Sequence, residues 1–276
     1  MKSILVPTEQ HALLASTLQC ALLLARKFDS YMEGFALFQA MVELYALDSG
    51  VPLPIEEVRD HDAEMAKQAR GAFETFMTGN GVARANGSGA LSFGWLDAAP
   101  DGDPFVGSYG RVFDLIVVEQ PAKLASLTEA TLEDALFESG RPGLMAPLGH
   151  RNAIGGTVVV AWNGSSETAR TVAFAMPFLL QAQDVQVVSV EGGMTPGPSA
   201  EDLAHALARN GVPVTWRHVV AKSRTPGEAY LDEAQEAGAD LLVKGAYTQS
   251  RLRQMIFGGA TRHIIMEAKI PVIMAH

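Results

Sequence analysis

Asp114-Leu-Ile-Val-Val118 returns 126 residues later as Asp240-Leu-Leu-Val-Lys244. Each is an apolar run of strand length behind an aspartate. Further echoes follow in the same order. Phe137-Glu138 and Pro142-Gly-Leu-Met-Ala146 match Met266-Glu267 and Pro271-Val-Ile-Met-Ala275, 129 residues on, and Ile4-Leu-Val-Pro-Thr-Glu9 matches Val158-Val-Val-Ala-Trp-Asn163, 154 residues on. Self-similarity of this kind sets the architecture before any single element is assigned. The chain reads as two copies of one unit, residues 1–150 and 154–276, each opening and closing on a buried strand. The first copy carries 28 more residues between its first and fourth strands, most simply around Gln39–Asp62. That segment holds Met41, Val42, Leu44, Tyr45 and Leu47, then Val51-Pro-Leu-Pro54, and is expected to pack against protein.

The second copy parses element by element. Val158–Trp162 is a strand, and Asn163-Gly164-Ser165-Ser166 supplies a turn and a helix cap before the periodic Val172, Ala175, Met176 and Leu179. Val185–Val190 is a second strand. Ser199-Ala-Glu-Asp202 has the form of a capping box opening a helix that stops at Gly211. Val212–Val220 is a third strand. Thr225-Pro226-Gly-Glu228 places a cap, a proline at the first helical position and an acid at the third, in a helix closed by Gly238. Strand Leu241–Lys244, a glycine-rich loop, a helix around Ala260–Ala268 and strand Pro271–Ala275 complete it. Strands alternating with helices at this spacing predict an α/β fold: two tandem doubly wound, five-stranded parallel-sheet domains of Rossmann-like type. Such sheets bind ligands at the carboxyl ends of their strands, where strand order reverses.

Composition narrows the function classes. With 276 residues, 48% hydrophobic and 19% charged, the chain is long and apolar enough for two cores. The single cysteine, Cys20, excludes an internal disulfide and a thiolate metal cluster. It lies among Leu18, Ala21, Leu22 and Leu23 and reads as a buried, inert thiol. Met1-Lys2-Ser3 leads straight into an apolar strand with no signal-peptide pattern, so the expected compartment is the cytoplasm. The longest apolar stretch, around Thr171–Leu180, is about half the ~20 residues a membrane span needs, and Pro177 interrupts it. A net charge of −10 disfavours nucleic acid and anionic membranes as partners. The charge is uneven: residues 1–150 hold 20 acidic and 10 basic side chains, residues 151–276 hold 11 of each. Arg251, Arg253, Arg262 and His263 crowd together in the neutral half, as a solvated helix face or a local anion site.

The loop after the fourth strand of the second copy carries the chemistry. It reads Gly245-Ala-Tyr-Thr248-Gln-Ser250-Arg251, continuing to Gly258-Gly259-Ala-Thr261-Arg-His263. A glycine pair lets bare backbone N–H groups approach a ligand, and the helix that follows turns its positive end the same way, as phosphate sites do. Ser250, Thr261 and Arg251 would add hydrogen bonds or charge. The glycines read equally well as the end of one turn and the start of another.

Here the sequence resembles the universal stress protein family, whose mark is G-x2-G-x9-G-[ST] with an aspartate ending the first strand. The spacing falls on Gly245, Thr248, Gly258 and Gly259, with Asn163 at the aspartate position beside Trp162. Thr248 replaces the second glycine and Gly259 the Ser/Thr. The resemblance covers both copies, but only the second has the motif. It implies an adenine nucleotide alpha hydrolase-like fold and binding of ATP, AMP or another adenine nucleotide, with or without Mg, at Trp162, Asn163, Val190, Gly245, Thr248, Ser250, Arg251, Gly258, Gly259 and Thr261. Val190, ending the second strand, would border the adenine. A stress-response regulatory role is implied, with at most weak ATP hydrolysis, an unidentified protein partner, and the two copies packed as an internal pseudo-dimer open to further homo-oligomerisation.

The first copy lacks this cradle. Glu119-Gln-Pro-Ala stands in its place, residues 122–138 contain no glycine, and Glu9 with Glu119 would repel phosphate. A second reading therefore stays open, a nucleotide-independent interaction or scaffold protein whose site has decayed. Arg59-Asp-His61-Asp62 reads as a solvated helix face rather than a metal site. His150, Arg151 and His276 have no visible triad partner, and neither a G-x-S-x-G elbow nor a P-loop lysine is present.

Overall fold

A computed structural model of the chain describes residues 1–8, 14–37, 55–86, 90–97, 105–122, 126–149, 151–246 and 259–276, the side chains of 55–62 and 127 excepted. The strands are β1 (Ser3–Thr8), β2 (Tyr31–Ala36), β3 (Ala83–Arg84), β4 (Ser92–Leu96), β5 (Leu115–Glu119), β6 (Gly143–Ala146), β7 (Thr157–Ala161), β8 (Asp184–Val190), β9 (Val214–Val219), β10 (Leu241–Gly245) and β11 (Val272–Ala275). The helices are α1 (Leu14–Phe28), α2 (Ile55–Gly79), α3 (Phe105–Gly110), α4 (Leu127–Glu138), α5 (Ser166–Leu179), α6 (Ala200–Arg209), α7 (Pro226–Glu236) and α8 (Ala260–Glu267). The apolar stretch between residues 38 and 54, expected to pack against protein, lies outside the described residues. The same holds for the side chains of Arg59-Asp-His61-Asp62, whose backbone forms part of α2.

All the strands among the described residues join one sheet, in the order β3-β4-β2-β1-β5-β6-β11-β10-β7-β8-β9. Every pairing is parallel except that of β6 with β11. Each half therefore has its first strand at the centre, as a doubly wound sheet requires. The halves meet edge to edge through their last strands, Leu144 opposite Ile273. One element was not expected: the two-residue β3 extends the first half beyond β4, and both its residues are exposed. No apolar pattern marks it. The third strand of the second half is trimmed to Val214–Val219.

The repeated aspartate has a structural task. Asp114 accepts hydrogen bonds from the backbone N–H groups of Lys2 and Ser3 at the start of β1. Asp240 does the same for Gly156 at 2.9 Å and Thr157 at 3.1 Å at the start of β7. Burial alone would raise the Asp114 pKa, but the two N–H donors outweigh it and hold the carboxyl below its usual range. The helix caps form as their sequences anticipate. Ser199 with Asp202, and Thr225 with Glu228, make reciprocal capping boxes.

Helices cover both faces of the sheet. α1, α2, α5 and α6 bury one apolar layer, which includes Leu18, Phe73, Phe178 and Leu207. α3, α4, α7 and α8 bury the other, with Val106, Leu136, Tyr230 and Ile264. Each layer runs across the β6–β11 seam. Phe28 of the first half meets Phe178 of the second edge-on, with ring centroids 4.9 Å apart, and the Lys27 ammonium donates to the carbonyls of Ile154 and Gly155. Cys20 is fully buried, and burial pushes its thiol up to about 11. Because the core is shared, Phe178→Ala is expected to cost about 3–5 kcal/mol and to shift a single unfolding transition. Urea denaturation followed by far-ultraviolet circular dichroism measures both quantities.

Candidate functional site

In the second half the strand order reverses between β7 and β10, and the chain segments leaving these two strands define the candidate site. After β7 come Trp162, Asn163, Gly164 and then Ser165, the N-cap of α5. Asn163 forms an Asx turn: its side-chain oxygen accepts from the Ser165 N–H at 3.2 Å and from the Thr168 hydroxyl at 2.6 Å. Gly164 adopts φ +80°, which the turn requires of it. The segment after β8 folds over this turn. Thr195 donates its N–H and hydroxyl to the Asn163 carbonyl, and a Cβ on Gly197 would lie 2.5 Å from the Gly164 oxygen.

Trp162 and Val190 are both buried. The Trp162 indole donates to the Pro198 carbonyl at 2.9 Å, and its own carbonyl accepts from the Tyr230 hydroxyl at 2.9 Å. Val190 is fully buried, and the turn after it closes through a Gly193 N–H donated to its carbonyl. Gly245 ends β10 in close contact with α5, since a Cβ there would fall 2.5 Å from the Thr168 N–H nitrogen and hydroxyl. Trp162, Asn163 and Gly245 thus converge at one edge. Thr261 lies in the first turn of α8, behind Gly259. Thr248, Ser250, Arg251 and Gly258 lie outside the described residues, as do Arg253, Glu9 and His150.

Two features set the α8 end apart. Its N-cap, Gly259, provides no side-chain hydrogen bond, whereas Ser126, Ser165, Ser199 and Thr225 cap α4 to α7 with their hydroxyls. Beside it lies Lys244, which the sequence marks only as a strand terminus. Lys244 is 3% exposed, and its ammonium donates to the Gly245 carbonyl at 2.7 Å and the Thr261 hydroxyl at 3.3 Å. Among the described residues no carboxylate forms an ion pair with it. Burial lowers its pKa to about 8, and the charge of Glu167 in the first turn of α5 only partly opposes this. A charged residue ending an otherwise apolar strand, directly before the loop glycine, was the available signal.

The first half builds the same place differently. Glu119 pairs with Ala146 as Gly245 pairs with Ala275, so Glu119 corresponds to Gly245 and Val118 to Lys244. The helix that follows, α4, is capped by Ser126, and its Thr128 hydroxyl donates to the Glu119 carboxylate at 3.1 Å. Pro7, Leu37, Val118, Glu119, Thr128 and Thr131 line a small cleft there. The chain's own carboxylate stands at the helix end.

The strand order and the helices on both faces define a doubly wound α/β protein. Comparison with known proteins adds a family likeness: the universal stress protein family model matches residues 156–276, the second half of the chain. A universal stress protein from Archaeoglobus fulgidus DSM 4304 is similar over 99% of this chain and 95% of its own, with TM-score 0.74 and 16% identity. A functionally unknown protein, PA1789 from Pseudomonas aeruginosa PAO1, is similar over 100% of this chain and 92% of its own, with TM-score 0.56 and 16% identity. A universal stress protein from Archaeoglobus fulgidus solved in complex with dAMP covers 44% of this chain and 96% of its own, with TM-score 0.33 and 21% identity. No curated protein matches the chain. Among the described residues no helix is long and apolar enough to cross a membrane.

Lys244 costs the fold stability, because its charged form is desolvated with only neutral acceptors at hand. Lys244→Met is expected to raise stability at pH 7 by on the order of 2 kcal/mol. Its folded pKa, about 8, lies below the ordinary lysine value of 10.5. Between those values the unfolded chain binds more protons, so the parent gains stability as pH rises and the advantage of the Met variant shrinks. Thermal unfolding of both proteins at pH 7, 8.5 and 10 measures this.

Proposed function

We propose that the unit spanning residues 154–276 binds one adenine nucleotide, ATP or AMP, at the carboxyl edge of β7 and β10, and that the protein acts as a regulatory stress-response module without strong catalysis. The unit spanning residues 1–150 is a degenerate copy that supports it. The observation that carries this reading is the N-terminus of α8, which begins on Gly259 at the switch point of the sheet with no side-chain cap. Backbone N–H groups there are arranged to meet an anion, and the likeness of residues 156–276 to the universal stress protein family suggests the class of ligand. The phosphate would lie against Gly259 and Thr261, with Thr248, Ser250, Arg251 and Gly258 contributed by the intervening loop. Magnesium, where the nucleotide carries it, would enter bound to phosphate.

A second reading, a scaffold whose site has decayed, is favoured by Asn163. Its side-chain oxygen is already shared between Ser165 and Thr168, and the segment from Thr195 to Pro198 covers the turn. On the nucleotide reading the base contacts the rim of this segment rather than Asn163 itself.

Titration calorimetry with ATP and AMP separates the two. One site per chain is expected, and Gly259→Val should abolish binding while leaving circular dichroism unchanged, because the extended backbone at Gly259 (φ −83°, ψ −174°) accepts any residue. Two equivalent sites, or a Val variant that binds as the parent does, would contradict the assignment. Complete absence of binding in the parent would favour the scaffold.

A further inference from the structure

Lys244 has a position that packing alone does not explain. A lysine at the end of a strand ordinarily extends its ammonium into water along its apolar stem. Here the ammonium turns instead to the Gly245 carbonyl and the Thr261 hydroxyl, both neutral, and the residue stays buried. Two of its three donors are used. The third donor and the whole charge lie beside the uncapped start of α8.

The first half shows the same geometry resolved the opposite way. There the helix start is capped by Ser126, the Thr128 hydroxyl is held by the Glu119 carboxylate, and apolar Val118 takes the place of the lysine. The threonine of the first helical turn is common to both halves. In one it faces an internal anion, and in the other an internal cation. A helix end provided with its own carboxylate has no need of an external anion, whereas one provided with a buried ammonium does.

We propose that Lys244 is the charge-recognising residue of the second-half site, its buried ammonium receiving, together with Thr261 and the first turn of α8, the phosphoryl anion of the ligand. This deepens the nucleotide reading given above and rests on it for the base. The ligand class it selects is a phosphate monoester or polyphosphate over the corresponding nucleoside. An anion placed there would supply the counter-charge that the fold lacks, and charge-assisted contacts of this kind are among the stronger hydrogen bonds in proteins.

Such recognition depends on pH. The charge that acts on Lys244 is that of Glu167 on α5, while α8, which carries Thr261, also bears His263 and the exposed Arg262, α7 bears Glu228, and His276 follows β11 with its Nδ1 3.3 Å from the Ala246 carbonyl. β7 and β11 contribute only apolar side chains and one threonine. With the Lys244 pKa lowered by burial to about 8, the unliganded ammonium loses its proton between about pH 7.5 and 9.5, while a phosphate monoester remains a dianion across that range. Affinity for phosphate should fall accordingly as pH rises.

The test uses the full chain and its Lys244→Met variant, titrated calorimetrically with AMP and with adenosine at pH 7.5 and 9.5. The parent should prefer AMP at pH 7.5 by about tenfold or more, and the preference should shrink by about tenfold at pH 9.5. The variant should bind adenosine as the parent does and show no such preference at either pH. A variant that keeps the preference, or a parent whose preference is the same at both pH values, would overturn the assignment of Lys244. If the variant does not fold, Lys244→Gln takes its place, and the pH comparison on the parent still decides the matter without any variant. If neither AMP nor adenosine binds the parent, the nucleotide reading fails, and pyrophosphate then decides on Lys244 alone. Pyrophosphate should raise the Tm of the parent and leave that of Lys244→Met unmoved, and any other result overturns the proposal.

Discussion

The antiparallel pairing of β6 with β11 is the constraint on which the rest of the molecule depends. Gly143–Ala146 and Val272–Ala275 are short and wholly buried, and each closes a parallel half-sheet that would otherwise leave an apolar edge open. An exposed apolar edge invites aggregation, and joining the two removes both at once. The pairing also makes the apolar layers continuous from α1 to α6 on one face and from α3 to α8 on the other. Because the junction is antiparallel, the strands of the two halves run in opposite directions, and their carboxyl edges lie at opposite ends of the sheet. The two places at which a doubly wound half can bind a ligand are therefore separate and free to diverge.

They have diverged in charge. The end of β5 presents Glu119 to a capped helix, and the end of β10 presents Lys244 to an uncapped one. A carboxylate that accepts a hydroxyl hydrogen bond beside a helix N-terminus is satisfied by the fold itself. A buried ammonium held by two neutral acceptors is not, and its missing counter-charge lowers stability. On the proposed reading this difference, more than the glycine spacing, separates a supporting half from a binding one. The net charge follows the same division, with all ten units of the excess negative charge in residues 1–150.

Much of the fold was legible because its signals are local. The apolar runs that became β1, β5, β7, β8, β10 and β11, and the capping boxes at Ser199 and Thr225, rest on residues within a few positions of one another. β3 was not legible, since two exposed residues carry no pattern. The joining of the two sheets was hidden for a different reason: an all-apolar run announces that it is buried but not against what. At the site, Trp162, Asn163, Val190, Gly245 and Thr261 do gather around the β7–β10 edge or the strand beside it, yet three of them are engaged internally. The Asx turn at Asn163 was foreseeable from Asn-Gly-Ser, whereas the cover supplied by Thr195 and Pro198 comes from a loop more than thirty residues away. Lys244 was visible in the repeat that defined the fold, but the sequence does not show that its ammonium is buried as deeply as its counterpart Val118.

The most direct measurement is the titration of Lys244 itself, followed by NMR of the protein labelled at lysine Cε, with the signal identified by its loss in Lys244→Met. In the free protein this residue should titrate near pH 8, and saturating AMP should move the titration upward by about one pH unit or more, because a phosphate dianion favours the ammonium. A Lys244 signal that titrates at the same pH with and without AMP would contradict the assignment of this residue to phosphate recognition.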